Sequence, residues 1–293
     1  DNEAWGGCQG GGPGLDSPQF GCCGSPPLGG TAIIEELGDT HLTTGRPILY
    51  TSQDSVFQLA AHERVMPAGE LYRICETARS MLVPPHGVAR VIARPFAGEK
   101  GQFYRTAGRR DFSLPPPSPT ILDALRQGGI PVHAIGKIND LFCGRGISSY
   151  LPTRNNREGI EATIEAAVRG NRPFVFTNLI DFDMMWGHRN DARAYALGLE
   201  EFDSYLKRLL GGMGPETLLI ITSDHGNDPT TASTDHSREY VPLIAYHGGA
   251  GCVPGGRDLG TRSTFADVGR TIAHNFGLSG DFPGASFLFD IAG

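Results

Sequence analysis

Leu218-Leu219-Ile220-Ile221-Thr222-Ser223-Asp224-His225-Gly226-Asn227-Asp228-Pro229 is the stretch on which the reading of this chain turns. Its apolar and β-branched start reads as a buried strand, and the polar cluster lies just past the strand's carboxyl end. A second stretch repeats the plan. Phe174–Asn178 reads as a strand, and Asp181-Phe182-Asp183-Met184-Met185-Trp186-Gly187-His188 follows it. Around both, helical and strand patterns alternate: helices over 120–127, 159–169, 192–210 and 265–276, and strands over 131–135, 174–178, 218–222 and 241–245. That order predicts an α/β layer with a largely parallel sheet. In such sheets ligands collect beyond the carboxyl ends of the strands, where both polar clusters fall.

The residue types in those clusters suit a metal. Asp183, His188, Asp224 and His225 lie past two strand ends, and His236 follows His225 by eleven residues. Mixed carboxylate and imidazole ligands favour Mn, Zn or Fe, whereas all-oxygen shells favour Mg and Ca. Two ions about 3.5–4 Å apart can clamp the attacking and leaving oxygens of a phosphoryl group. A single Asp-His pair after a strand is more often a cap or a surface pair. The weight comes from two clusters, a third histidine, and glycines 187 and 226 where the backbone is expected to turn tightly.

Upstream the chain reads in two parts. Residues 1–30, with Gly10–Gly14 and Gly21–Gly30, have no apolar period and read as a low-complexity, disordered tail. From residue 31 the pattern is globular: a short helix over 32–37, a strand over 47–51, a helix over 70–82 and a strand over 88–94. The run Pro115-Pro116-Pro117-Ser118-Pro119 predicts a boundary or hinge. The expected division is therefore a tail over 1–30, a smaller α/β cap over 31–118 and a core over 119–293.

Composition sets outer limits. A formal charge of −7 over 293 residues argues against nonspecific nucleic-acid binding. No apolar run approaches the ~20 residues of a membrane span, and no signal-like start is seen. Six scattered cysteines (8, 22, 23, 75, 143 and 252) read as reduced thiols of a cytoplasmic protein.

Ser223–Thr230 with Ser233-Thr234-Asp235-His236-Ser237-Arg238-Glu239-Tyr240-Val241-Pro242 resembles the C-terminal signature of the phosphopentomutase family, within the alkaline-phosphatase superfamily. The resemblance extends through Asp181–His188, Gly136–Asp140, Val91–Gly98 and Tyr50–Gln58, in order, from residue 31 to about 290. It implies an alkaline-phosphatase-like core plus a cap. It further implies interconversion of (2-deoxy)ribose 1-phosphate and 5-phosphate through an enzyme phosphothreonine, with two divalent ions, usually Mn²⁺, and a sugar bisphosphate activator. One metal would be held by Asp183, His188 and His236, the other by Asp224 and His225. Ser52 and Asp54 would touch the sugar phosphate, Arg94 and Arg109 would contact the phosphate, and Lys137 would add a charge nearby. Bidentate geometry suits the arginines to that task. Without the resemblance, Ser52 and Asp54 read as a turn and the basic residues as solvated surface.

Some departures from the pattern bear on activity. The nucleophilic threonine, and the aspartate completing the second metal, belong in the family to an N-terminal core segment without a counterpart here. With the start at Asp1, this predicts a truncated or mis-started chain, with one metal bound, marginal folding and little turnover. Gly108 replaces a usual Asn, and Ser233 replaces a usual Gly, at some cost if that position needs positive φ. Two other readings stay open: a related metal-dependent phosphoglycerate mutase or phosphatase, and an inactive metal-binding fragment.

Overall fold

The computed structural model describes residues 32–52, 56–249 and 256–292. The expectations for the tail at 1–30, for Asp54 and for Cys8, Cys22, Cys23 and Cys252 lie outside those residues, as does the side chain of Ser52. The chain divides into two compact units between Leu114 and Pro115.

The first unit opens with helix α1 (Ala32–Thr44) and strands β1 (Ile48–Ser52) and β2 (Val56–His62). Helix α2 (Ala68–Met81) then leads to β3 (Arg90–Ala97), β4 (Tyr104–Arg105) and β5 (Arg110–Ser113). β1 and β2 are antiparallel, β2 and β3 are parallel across α2, and β4 and β5 both lie antiparallel along β3. α2 covers one sheet face, where Leu71 and Cys75 meet Leu59, Ala61, Val91 and Ala93. Burial there pushes the Cys75 thiol up to about 12. α1 covers part of the other face through Ile33 and Ile34 against Ile48, Ala60, Phe96 and Phe103.

The helix expected over 32–37 runs on past Gly38. A Cβ at 38 would come within 2.4 Å of the Phe103 ring, so glycine serves close packing there and does not end the helix. β3 begins later and runs further than expected, through Pro95. Its ladder to β5 ends at Ala93 and that to β4 starts at Phe96, so proline falls where no partner requires its N–H.

The second unit contains α3 (Ile121–Gln127), β6 (Val132–Ile135), α4 (Ile138–Leu141), β7 (Ser149–Leu151), α5 (Asn156–Arg169) and β8 (Phe174–Thr177). It continues with a π turn (Phe182–Trp186), a 3₁₀ turn (Gly187–Arg189), α6 (Ala192–Gly212), β9 (Leu218–Thr222), β10 (Leu243–His247), α7 (Ala266–Asn275) and α8 (Leu288–Ala292). β6 pairs in parallel with β7 and β8, whereas β9 and β10 form an antiparallel pair. Leu122, Leu125, Val132, Ala134, Ile138 and Ile147 form one core, and Ile160, Ile164 and Leu209 another. α5 starts before the expected residue 159 because the Asn155 side chain accepts from Glu158 N at 2.9 Å. β10 starts two residues later than expected, after Pro242, which lacks the N–H a ladder needs.

Candidate metal centre and anion-binding face

The chain leaving β8 coils into a π turn, a form often found at functional sites. Rings of Phe182, Trp186 and Tyr195 pack with centroids 5.1–6.4 Å apart and fix the turn on α6. Gly198 of α6 admits Trp186, since a Cβ there would lie 2.2 Å from the indole. Burial, and then the charge of Asp183, push the Tyr195 phenol up. On this platform the Asp183 Oδ1 lies 3.2 Å from His188 Nε2.

The loop after β9 folds back on itself. Ser237 N donates to Gly226 O (3.0 Å) and Asp228 N donates to Ser237 Oγ (2.9 Å). His236 is thereby laid on His225, with ring centroids 3.6 Å apart and planes 20° apart, while the His188 ring is 4.9 Å beyond. His236 Nε2 is 3.1 Å from the same Asp183 Oδ1. One ligand atom each from Asp183, His225 and His236 falls within 4.8 Å of the others. Asp224 Oδ1 is 3.7 Å from His225 Nε2.

The three-plus-two ligand division implied by resemblance is therefore less sharp in space, because His225 lies in the Asp183 group as well as beside Asp224. The two glycines also act differently from expectation. A Cβ at 187 would meet Asn227 Nδ2 at 2.3 Å, and one at 226 would meet Ser237 O at 2.5 Å. They permit close approach between the two clusters and within the loop, with no left-handed turn. Ser233 carries no positive-φ cost either: among the described residues, only Cys143 and Asn190 combine a side chain with positive φ.

The donor chemistry fits a cation. The Thr234 carbonyl can only accept, so His188 Nδ1, 2.6 Å away, carries the proton. In the neutral ring Nε2 then points a lone pair at the Asp183 carboxylate across 3.2 Å. Two acceptors facing each other repel unless a cation sits among them. A backbone carbonyl fixing the far ring nitrogen is also how metal-binding histidines are generally oriented. Lys137, which precedes α4, reaches the Met184 sulfur, next to Asp183.

Arg94 and Arg109 belong to the first unit, on the sheet face only partly covered by α1. Strand parity places Tyr50, Gln58, Arg90, Arg94 and Asp111 on that face. Arg94 Nε donates to Gln58 Oε1 at 3.1 Å. Arg109 Nε and Nη2 grip Asp111 at 2.8 and 2.7 Å, and Arg90 lies 3.9 Å from the same carboxylate. Burial, then the neighbouring charges of Arg109 and Arg105, lower the Arg94 pKa. The Asp111 hydrogen bond raises that of Arg109. A half-buried cation pressed by two others is an environment that favours an anion.

Sequence reading missed Gln58 and Asp111, which hold these arginines. Their place on the face could have been found by carrying the two-residue strand period from Arg94 to its neighbours. Gly108, beside Arg109, has little room for a larger residue: a Cβ would meet Pro95 at 2.9 Å and the Tyr72 hydroxyl at 3.2 Å.

Residues 125–280 match the Metalloenzyme superfamily. The chain is 54% identical over 268 residues to a phosphopentomutase of Caldanaerobacter subterraneus subsp. tengcongensis, covering 92% of this chain and 67% of that one. A Dictyoglomus turgidum phosphopentomutase is 54% identical over 271 residues, with the same coverage. One from Clostridium novyi is 51% identical over 268 residues, covering 92% and 68%. Among solved structures, a Leishmania mexicana phosphoglycerate mutase superposes with a TM-score of 0.44 at 21% identity, over 56% of this chain and 38% of that one.

Proposed function

The chain belongs to the phosphopentomutase family of isomerases, within the Metalloenzyme superfamily, and from that premise we propose how its residues share the work. The substrate is a pentose phosphate, interconverted between its 1- and 5-phosphates. The first unit recognises it and the second carries the metals, with the division near the proline run at 115–119. Asp183, His188 and His236 would hold one divalent ion, Mn²⁺ by preference, and Asp224 and His225 contribute two ligands to a second, with His225 near enough to both groups to serve between them. Divalent ions held by these residues would supply Lewis-acid polarisation of a phosphoryl oxygen and positive charge to offset that of the transferring group. The observation that carries this reading is Asp183 Oδ1 facing both His188 Nε2 and His236 Nε2 at 3.1–3.2 Å.

Around that centre the protein supplies position. Thr234 O fixes the His188 tautomer, the Phe182–Trp186–Tyr195 rings hold the turn that presents Asp183, and Lys137 adds positive charge beside it. Arg94 and Arg109, braced by Gln58 and Asp111, take the phosphate, with Ser52 and Asp54 assigned to the sugar. Transfer through a phosphothreonine and a sugar bisphosphate belongs to this proposal by family membership, and no described residue is assigned as the nucleophile. No described helix is long and apolar enough to cross a membrane, and we assign the protein to the cytoplasm.

Mn²⁺ titration followed by electron paramagnetic resonance tests the metal assignment. Free-ion signal should disappear into the protein, and Asp183→Asn should restore it. Equal Mn²⁺ binding by that variant would overturn the ligand set. Ribose 5-phosphate should bind in preference to 2-phosphoglycerate, and the reverse order would favour the phosphoglycerate mutase reading.

A further inference from the structure

The face that holds Arg94 and Arg109 also contains a buried polar atom that neither the packing nor the metal centre uses. Tyr50 lies at the middle of β1, in register with Gln58, whose side chain holds Arg94. Its ring packs against the apolar cluster of Ile48, Ala60 and Phe96. Its hydroxyl is shut off from solvent and, among the described residues, has no hydrogen-bond partner. Buried hydroxyls usually find one, because going without costs stability.

The surroundings explain what kind of partner suits it. Tyr50 interacts electrostatically with both Arg94 and Arg109. Guanidinium groups are donors only and cannot accept the phenolic proton. Gln58 Oε1 is engaged by Arg94, and the Asp111 carboxylate by Arg109. With both nearby protein acceptors already engaged by the arginines, an anionic ligand oxygen is the partner that suits the hydroxyl, and it would draw on both arginines. A phosphate monoester offers several anionic oxygens in a compact group, so one oxygen can face the phenol while others face the cations.

We propose that Tyr50 is a binding residue of this face, its O–H donating to an oxygen of the phosphate group held by Arg94 and Arg109. This rests on the reading of those arginines as phosphate contacts. The tyrosine adds direction to a site otherwise built of charge. The arginines attract any anion, whereas one short donor at a fixed point on a strand selects a group with an oxygen at that point.

The test is calorimetric titration of the chain in EDTA, with ribose 5-phosphate and separately with inorganic phosphate as probes. Tyr50→Phe removes only the hydroxyl. Both affinities should fall about tenfold, as expected for losing one hydrogen bond to a charged group. The melting temperature of the ligand-free variant should stay equal or rise, because an unpartnered polar atom has been removed from the interior. Arg109→Ala tests the underlying reading and should weaken both probes further. If Arg109→Ala binds poorly while Tyr50→Phe binds like the parent, the tyrosine inference is overturned and the arginine reading stands; a lower melting temperature in that same variant would mark the hydroxyl as serving the fold alone. If Tyr50→Phe weakens ribose 5-phosphate alone, the hydroxyl serves the sugar and the phosphate assignment is overturned. If the parent chain binds neither probe, or Arg109→Ala binds as well as the parent, the arginine reading falls and takes this inference with it.

Discussion

The two candidate sites, one in each unit, are built in opposite ways. On the first unit's sheet Arg94 and Arg109 already rest on protein acceptors, Gln58 and Asp111. β2 is almost wholly buried, so the strand carrying Gln58 is firmly set. In the second unit, the lone pair of neutral His188 faces the Asp183 carboxylate, with His236 Nε2 beside the same oxygen, and β8 is only half-buried along its length. A site of mutually satisfied donors and acceptors holds its shape without ligand. A site of converging acceptors needs the cation to do so.

The largest effect expected from this contrast is on metal. Asp183→Asn should weaken Mn²⁺ binding about a hundredfold or more, since it removes the charge shared by two imidazoles; even partners one layer further out matter roughly 10–100-fold at metal sites. At a hundred times its dissociation constant, Mn²⁺ should stabilise the second unit by about 2.7 kcal/mol. In a Trp5→Phe background, which leaves Trp186 as the one tryptophan, fluorescence reports that unit's melting. The variant should show no such shift, and a first unit equally stabilised by Mn²⁺ would break the contrast.

Next in size are two glycine substitutions, one in each unit. Gly187→Ala drives a methyl group to 2.3 Å from Asn227, at the join of the two ligand clusters. Overpacking of this kind costs about 1–3 kcal/mol, and Mn²⁺ affinity should fall with it. A methyl group at Gly69, in the first turn of α2, would meet nothing within 4 Å. Gly69→Ala should therefore cost nothing and could add up to about 1 kcal/mol of helix stability. Denaturant midpoints of the two variants would decide it.

How much was legible in the sequence follows from the same contrast. Asp183, His188, Asp224, His225 and His236 could be found because their residue types announce metal chemistry and their strands announce the sheet end. Their mutual placement could not, because the stacking of His236 on His225 depends on the Gly226–Ser237 backbone pairing across a loop. The α/β class and most elements of the second unit followed from periodicity. β9 pairing antiparallel with β10 did not, since pairing direction is set by the path of the chain between strands and leaves no local pattern. In the first unit, β2 went unread: Val56–His62 is covered on both faces and so lacks alternation. Missing it hid Gln58, and with it the face that unites Tyr50, Arg94 and Asp111.

A smaller effect is expected from the brace under Arg109. Asp111→Asn keeps the shape but loses the charge that grips the guanidinium in two places. Ribose 5-phosphate affinity should fall roughly three- to tenfold, in the range of one charge-assisted hydrogen bond. If the affinity instead rises, the carboxylate competes with the phosphate for Arg109, and the face is less preformed than its contacts imply.

The smallest effect concerns acid, and it separates the units through His41 in the first and His133 in the second. His41 donates from Nδ1 to Arg46 O and accepts the His62 N–H at Nε2. His133 receives Arg172 and Ser149 at Nδ1, at 3.1 and 2.8 Å. Burial first, followed by the neighbouring His62 ring for His41 and by the Arg172 charge for His133, lowers both pKa values from 6.5. Above pH 6.5 both rings are neutral whether the chain is folded or not, so neither affects stability. As pH falls through 6.5 the unfolded chain takes up protons that the folded chain refuses, and stability drops until the folded pKa is reached. The slope is at most about 1.4 kcal/mol per pH unit for each ring. His41 is 1% exposed and His133 8%, so the first unit should lose more between pH 6.5 and 5. In the same Trp5→Phe background, urea melts at pH 7.5, 6.5 and 5.5, with Trp186 fluorescence for the second unit and circular dichroism for the whole, measure the difference. His133→Gln keeps an acceptor for Arg172 but cannot take up the proton, so it should flatten only the Trp186-reported slope; an unchanged slope would mean that other groups carry the acid sensitivity of that unit.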